Sequence, residues 1–223
     1  NQLASLSIPD SVTIIHEGAF YENQLNSVTI PESVATIWGN AFAHNQLTSV
    51  NIPNSLSTIV DSVFFSNQLT SVTIPNSVTR IEYSAFASNQ LISVNFDGNF
   101  PDIDLNSFAG NPGISSEEFR YLPLGDRAIM LGCVDYCLSD LVIPNKVDGY
   151  DVIGIDNFAF ENNQLTTVSI PDGIDFIGLY AFGNNQLTTL HIPNSVSFIE
   201  NNAFSDNQLT SVHLSNSLAS IEG

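Results

Sequence analysis

The tripeptide Asn-Gln-Leu recurs every 22 residues in two blocks of this 223-residue chain. It begins at Asn1, Asn23, Asn45, Asn67 and Asn89 in the first block, and at Asn163, Asn185 and Asn207 in the second. A constant period of about 20–50 residues is the signature of a repeat architecture. A unit of this length cannot bury its own apolar face, so it has to stack on its neighbours. The period therefore predicts a solenoid, and it places function on a long repeated surface.

Each period combines a strand pattern with a less regular second half. In the segment from Leu69 to Ile74, apolar and polar residues alternate toward its end, which predicts a short strand. Pro75 ends this strand because proline lacks a backbone N–H. The apolar residues from Val78 to Phe86 have spacings that fit a 3₁₀-like turn. The pattern predicts a sheet on one face of the solenoid and short helical turns on the other.

Two further columns follow from aligning the periods. The aromatic column should lie in the core, and it contains Phe20, Phe42, Phe64, Phe86, Phe108, Phe160, Phe182 and Phe204. The asparagines of the tripeptide form the other column. Asparagine tolerates left-handed backbone and bonds neighbouring peptide groups, so we expect an internal brace in every coil, with ligand contact as the alternative.

The consensus of the period is LxxVxIPxSVxxIxxxAFxxN, as in Ile74-Pro75, Ser77-Val78 and Ala85-Phe86. This pattern resembles the BspA-type leucine-rich repeats of bacterial and some protist surface proteins, over residues 1–111 and 141–223. The resemblance implies a parallel β-solenoid with leucine-rich-repeat topology. It also implies a cell-surface or secreted location and roles in adhesion or host-protein binding.

We predict a single continuous solenoid over 1–223, with five regular repeats in 1–111 and further regular repeats in 163–223, the last incomplete. Because 52 residues separate Asn111 from Asn163, the region 112–162 should hold enlarged, irregular repeats. Gly125-Asp126 lies between two apolar stretches and predicts a hairpin turn there. The chain starts and stops inside a repeat, so we interpret it as a piece of a larger protein.

The charge of the chain limits its partners. The net charge is −19, with only four basic residues, so no basic patch is available to bind phosphates. Nucleic acid and anionic membrane are therefore not expected partners. No apolar run approaches the roughly 20 residues that a membrane helix needs, so we expect no membrane insertion by this segment. We expect a monomer without a cofactor.

The irregular region gathers three of the four basic residues and both cysteines. Cys133 and Cys137 form either a tight disulfide or two buried thiols. This concentration of basic residues and cysteines marks either a binding feature or a cap between two blocks of repeats. In the second interpretation Arg120 and Arg127 pair with carboxylates close to them in the chain.

The outward residues of the predicted strands form two columns of hydroxyls, amides and imidazoles. They are Ser27, Thr29, Ser49, Asn51, Ser71, Thr73, Ser93, Asn95, Thr167, Ser169, Thr189, His191, Ser211 and His213. Such a face is suited to a protein or glycan ligand, because many weak hydrogen bonds add up along it. The alternatives are a solvated face on a structural spacer without a ligand and, as a remote third, ice binding.

Other chemistry has little support in the sequence. His191 and His213 are one period apart and form either a two-histidine metal site or a solvated pair. The segment from Asp102 to Asn106 begins like a calcium loop, but its twelfth position is Gly113 instead of glutamate. No hydrolase, metalloprotease or phosphate-binding motif occurs. We therefore expect no metal site, no catalytic residues and no enzyme.

Overall fold

The computed structural model describes residues 2–104, 106–218 and 220–221 of the chain. The chain divides into two compact units, Asn1–Pro112 and Gly113–Gly223. Asn1 of the first tripeptide, Leu105 of the calcium-like segment and the last two residues of the incomplete repeat lie outside the described residues. Each unit is a β-solenoid with parallel strands, which confirms the predicted fold class. A single solenoid running through both units stays a prediction.

The described residues of the first unit form nine short strands. They are β1 (Ile14–Ile15), β2 (Ser27–Thr29), β3 (Thr36–Ile37), β4 (Ser49–Asn51), β5 (Thr58–Ile59), β6 (Ser71–Pro75), β7 (Arg80–Ile81), β8 (Ser93–Asp97) and β9 (Asp102–Ile103). Even-numbered strands pair in parallel as β2 with β4 and β6 with β8. Odd-numbered strands pair as β1 with β3 and as β5 with β7 and β9. Equivalent residues of successive coils face each other, for example Ser71 and Ser93.

The second half of each coil forms a strand and turns, where the sequence suggested a 3₁₀-like turn. Arg80 and Ile81 form β7, and no helix occurs among the described residues. Ala85 does donate locally to the carbonyl of Glu82, at 3.2 Å. The N–H of Phe86, however, donates to Ser107 in the next coil, at 2.8 Å. Backbone N–H groups that a continuous helix would need for its own hydrogen bonds are thus used between coils.

Left-handed backbone occurs twice in the regular coils, at positions other than the asparagine of the tripeptide. In one coil these residues are Ser62 and Ser66, each with φ of 54°. Asparagine tolerates this conformation, but the described asparagines of the tripeptide do not adopt it. The residue before the asparagine, such as Ser66 before Asn67, has the positive φ. Glycine occupies the two positions in other coils, as Gly18 and Gly110, because glycine adopts positive φ at no steric cost.

In the part of the second unit that the structure describes, the chain forms twelve strands. They are β10 (Ile114–Ser115), β11 (Phe119–Leu124), β12 (Arg127–Cys133), β13 (Asp140–Val142), β14 (Lys146–Val147), β15 (Tyr150–Ile155), β16 (Thr167–Ser169), β17 (Phe176–Ile177), β18 (Thr189–His191), β19 (Phe198–Ile199), β20 (Ser211–His213) and β21 (Ser220–Ile221). Strands β12, β15, β17, β19 and β21 pair in parallel in that order. Parallel pairs also join β13 to β16 and β18 to β20.

A hairpin opens this unit where the sequence predicted a turn. Strands β11 and β12 are antiparallel and meet at Leu124 and Arg127, on either side of Gly125-Asp126. On its other edge β12 pairs in parallel with β15, with Ala128 opposite Val152. The hairpin therefore joins the parallel sheet of the unit through its second strand.

The core of each unit is built around the phenylalanine column. In the first unit, neighbouring rings from Phe20 to Phe108 stack with centroids 5.3–5.7 Å apart. In the second unit, Phe160, Phe182 and Phe204 stack at 5.4 and 5.3 Å. Burial of one such side chain stabilises a fold by about 1.5–3 kcal/mol. The column supplies the same contact in every coil, as the sequence predicted.

The asparagine column braces the coils from inside. Asn45 is buried, and its side-chain oxygen accepts a hydrogen bond from the N–H of Leu25 at 3.1 Å. Its amide nitrogen donates to the carbonyls of Phe20 at 2.9 Å and Phe42 at 3.1 Å. Equivalent bonds join Asn67, Asn89, Asn111, Asn185 and Asn207 to the coil before each of them. These side chains are committed to the interior, which supports the brace over ligand contact.

Candidate functional site

The predicted polar columns lie on the outer face of the short strands in the first unit. Strand β2 has the burial pattern expected of a solenoid strand, with Ser27 and Thr29 exposed and Val28 buried between them. Parallel pairing sets equivalent residues side by side, with strands about 4.8 Å apart. The pairs are Ser27 with Ser49, Thr29 with Asn51, Ser71 with Ser93, and Thr73 with Asn95. All eight side chains are exposed except Ser93, which is half-buried.

The second unit continues the same chemistry with two imidazoles. Thr189 and His191 of β18 pair with Ser211 and His213 of β20. The two imidazole rings are exposed and stack with their centroids 4.8 Å apart and an interplanar angle of 13°. Thr167 and Ser169 of β16 are exposed as well. The columns of this unit therefore carry aromatic rings, which the serine, threonine and asparagine columns of the first unit do not.

Strand β13 adds two positions that the sequence argument missed. Asp140 pairs with Thr167, and Val142 pairs with Ser169, so both belong to the outward columns. The hydroxyl of Thr167 donates to a carboxylate oxygen of Asp140 at 3.1 Å. The signal was present in the sequence, because Ile143-Pro144 matches the Ile-Pro step that follows most of the outward pairs. Counting back from that step identifies Asp140 and Val142.

The carboxylates of the calcium-like segment are engaged with Arg80 on β7. Both Asp102 and Asp104 form ion pairs with the Arg80 guanidinium. The negative charge of Asp104 is the main cause that raises the pKa of Arg80, and Asp102 adds to it. The side chain of Arg80 is 43% exposed, so solvent screens these pairs. The segment acts as an inter-coil contact in this structure.

In the irregular region, the basic residues are tied to nearby groups in different ways. Arg127 lies 3.9 Å from the carboxylate of Asp126, one of the partners expected for it. Arg120 instead donates to the backbone carbonyls of Cys133 and Leu131, at 3.3 and 3.4 Å. A guanidinium reaches carbonyls across the hairpin because its own strand is paired with that of Cys133.

The two cysteines and a buried tyrosine hold this region together. A disulfide joins Cys133 and Cys137, the first of the two alternatives that the sequence left open. The hydroxyl of Tyr121 donates to Asp148 at 2.7 Å, and the ring of Tyr121 is buried. Burial is the main cause that raises the pKa of this phenol, and the hydrogen bond and charge of Asp148 raise it further.

The described residues contain no group of three or more histidine, cysteine, aspartate or glutamate side chains that could hold a metal ion. His191 and His213 stack on each other and do not belong to such a group. Within the described ranges, no helix has the length and apolar character needed to cross a membrane.

The chain matches the BspA type leucine rich repeat region, in 6 copies, over residues 1–115 and 134–223. It therefore belongs to this family, as its repeat pattern indicated. Repeats of the family are generally non-enzymatic scaffolds for protein interaction. No protein of curated function matches the chain.

Solved structures of bacterial repeat proteins are similar to this chain. A leucine rich cell surface protein from Faecalibacterium prausnitzii is 22% identical over 92% of this chain, with a TM-score of 0.45. The chain spans 64% of the length of that protein. A leucine-rich repeat protein from Eubacterium ventriosum is 15% identical over 95% of this chain and 76% of its own, with a TM-score of 0.46. The pneumococcal vaccine antigen PcpA is 16% identical over 96% of this chain and 71% of its own, with a TM-score of 0.45.

Proposed function

We propose that this chain is a cell-surface or secreted interaction module that binds an extracellular protein or a glycan on the outer face of its strands. The observation that carries this proposal is the parallel register of exposed polar residues, in which Ser71 faces Ser93 and Thr73 faces Asn95. Membership of a family of interaction scaffolds supports the same function.

The chemistry of the face defines the kind of ligand. In the first unit the two outward columns contain serine, threonine and asparagine, whose side chains both donate and accept hydrogen bonds. Neither column there carries a charge, so the ligand is polar rather than strongly ionic at its contact surface. Sugar hydroxyls and the backbone of an extended peptide both meet that requirement.

Useful affinity requires several coils acting together. A single hydrogen bond contributes about 0.5–1.5 kcal/mol net, which is too little for specific binding by one strand. A ligand that spans β2, β4, β6 and β8 contacts eight column residues. Fixed strand spacing keeps these groups in position, so little conformational entropy is lost when the ligand binds.

The proposal is tested by screening the chain against a glycan array and a panel of extracellular matrix proteins. The variant with Ser71→Lys, Thr73→Lys, Ser93→Lys and Asn95→Lys places four long cationic side chains on the face. We expect it to lose binding to a ligand that the unmodified chain captures on the strand face, because the lysines remove hydrogen-bonding groups and block close approach.

A control variant carries the same number of lysines on another exposed column. Its substitutions are Thr13→Lys, Ala35→Lys, Ser57→Lys and Thr79→Lys, which lie after the Ile-Pro step rather than on the outward strand columns. This variant should keep its binding. Equal loss in both variants, or unchanged binding in the face variant, would contradict a specific role of the strand face. A chain that captures nothing in either screen would favour the spacer.

A further inference from the structure

A cavity of about 370 Å³ lies in the second unit beside the disulfide. It is formed by the residues that lead into β11, by the loop from Cys133 to Leu138, and by β13. This volume is within the range of about 300–1,000 Å³ that is typical of ligand pockets. The disulfide-closed loop belongs to the irregular region and interrupts the 22-residue period.

Large apolar side chains on the wall of this cavity are exposed to solvent. Tyr136 is 77% exposed and Leu138 is 68% exposed, and Val142 on β13 is exposed beside them. Single exposed apolar residues are common on proteins, but a contiguous group with a polar rim marks an interaction surface. These three residues line one cavity together with polar residues, so their exposed apolar surface is gathered at one place.

The disulfide holds this loop in its exposed position. Cys137 is buried and bonded to Cys133 at the end of β12, so the residues between them bulge outward. The N–H of Val134 also donates to the carbonyl of Glu118 at 2.9 Å, which fixes the loop against the opposite wall. A preorganised loop loses less entropy when a ligand binds.

The rim of the cavity is acidic. Glu117, Glu118, Asp135 and Asp140 line it, and none of the described lining residues is lysine or arginine. The chain as a whole carries a net charge of −19, so a second copy and an anionic lipid surface are both repelled. Charge complementarity therefore selects a cationic partner, and the apolar wall selects one with large apolar side chains.

We infer that this cavity binds a cationic segment of a partner protein in which lysine or arginine alternates with large apolar residues. The apolar side chains fill the cavity against Leu138 and Val142. The cationic groups pair with the carboxylates of the rim, and an arginine also stacks on the ring of Tyr136 through a cation–π contact. This site shares Asp140 and Val142 with the outward columns of the second unit, and it stands without the function proposed for the columns of the first unit.

Fluorescence anisotropy with three labelled peptides tests this inference. The first alternates arginine with leucine, the second replaces the arginines with glutamate, and the third replaces the leucines with serine. We expect only the first to bind with saturation at physiological salt. The double variant Tyr136→Ser with Leu138→Ser should weaken its binding about tenfold or more, because it removes two exposed anchors of the wall. The double variant Glu118→Gln with Asp135→Asn should also weaken it and reduce its dependence on salt.

Matched controls separate the cavity from general attraction to an acidic protein. The variant Tyr83→Ser with Asp61→Asn removes one exposed aromatic ring and one exposed carboxylate in the first unit, and it should bind the first peptide normally. The four-lysine variant of the strand face leaves the cavity unchanged, so it should bind this peptide with nearly the same affinity. A small loss is expected because its net charge is less negative. Reduction of the disulfide should weaken binding, because it frees the loop.

Several outcomes would overturn the inference. They are equal binding of the arginine–leucine and arginine–serine peptides, equal loss in the control and cavity variants, and no binding by the unmodified chain. Sedimentation provides a further check. A dimer that Tyr136→Ser with Leu138→Ser abolishes would assign the cavity to a second copy of the chain, against the cationic segment. Circular dichroism of each variant establishes that it is folded.

Discussion

The side-chain amide of Asn67 donates a hydrogen bond to the carbonyl oxygen of Phe42, 25 residues earlier in the chain, at 3.0 Å. The same side chain accepts a hydrogen bond from the N–H of Leu47, also at 3.0 Å. One asparagine thus satisfies backbone groups of the preceding coil that have no access to water. Equivalent bonds occur in both units and explain why the asparagine of the tripeptide recurs so regularly.

Removal of a buried asparagine of the brace should strongly lower the free energy of unfolding. Asn67→Ala leaves the buried N–H of Leu47 without its partner, which costs about 1–3 kcal/mol. It also removes one of the two side-chain donors to the carbonyl of Phe42, a hydrogen bond that contributes about 0.5–1.5 kcal/mol. We expect the free energy of unfolding to fall by about 3 kcal/mol in a urea titration followed by circular dichroism. Asn26→Ala, at an exposed position, should change it by less than about 0.5 kcal/mol. Equal effects of the two substitutions would contradict the brace.

The aromatic column predicts a contrast between neighbouring residues. Phe64 is buried between Phe42 and Phe86, with ring centroids 5.7 and 5.4 Å away. Phe64→Ala should lower the free energy of unfolding by about 3–5 kcal/mol, because it leaves a cavity in the stack. Phe65 is only half-buried, so Phe65→Ala should cost clearly less. Thermal unfolding of both variants measures the difference, and similar melting temperatures would argue against a cohesive column.

The left-handed turns predict a stabilising substitution. Ser88 is exposed and has φ of 56°, and Gly110 takes its place one coil later with φ of 70°. Ser88→Gly should raise the free energy of unfolding by about 0.5–1 kcal/mol, because it relieves backbone strain. Ser71→Gly on β6 should instead lower it by about the same amount, since glycine weakens a strand. The two variants should therefore shift the urea midpoint in opposite directions, and shifts of equal sign would refute the argument.

The bond between Tyr121 and Asp148 predicts a dependence of stability on high pH. Burial and Asp148 raise the pKa of Tyr121 above its ordinary value of about 10. The native phenol then keeps its proton where the unfolded one has lost it. This contribution to stability is complete below about pH 10 and is lost as the pH rises through the raised value.

Urea titrations at a series of pH values check this prediction. Tyr121→Phe should lower the free energy of unfolding by about 1–3 kcal/mol at neutral pH, and should make its decline above about pH 10 less steep. Tyr83→Phe, at a residue that is 55% exposed, serves as the control and should leave the decline as in the unmodified chain. An unchanged decline in Tyr121→Phe would show that this phenol does not contribute to it.

Much of the candidate site was predictable, because the alternation of apolar and polar residues along a strand shows which of its sides is buried. Val28 and Val72 face the core, so their neighbours Ser27, Thr29 and Ser71 have to face solvent. Asp140 and Val142 were predictable by the same argument from Ile143-Pro144, although the argument stopped at the regular repeats. The cavity beside Cys133 was not predictable, because its walls come from segments without a common period.

The sequence by itself determined the repeat, the inward phenylalanine column, the outward polar columns and the family. These features depend on burial, and burial is imposed on every coil by the same pattern of apolar side chains. Only the tertiary structure decided whether a backbone N–H bonds within its own turn or to the neighbouring coil. Whether the N–H of Phe86 bonds within its own turn or to Ser107 depends on a carbonyl in the next coil, and that position is set by stacking. For the same reason the strand at Arg80, the turn before Asn67 and the loop closed by Cys137 became visible only in the folded chain.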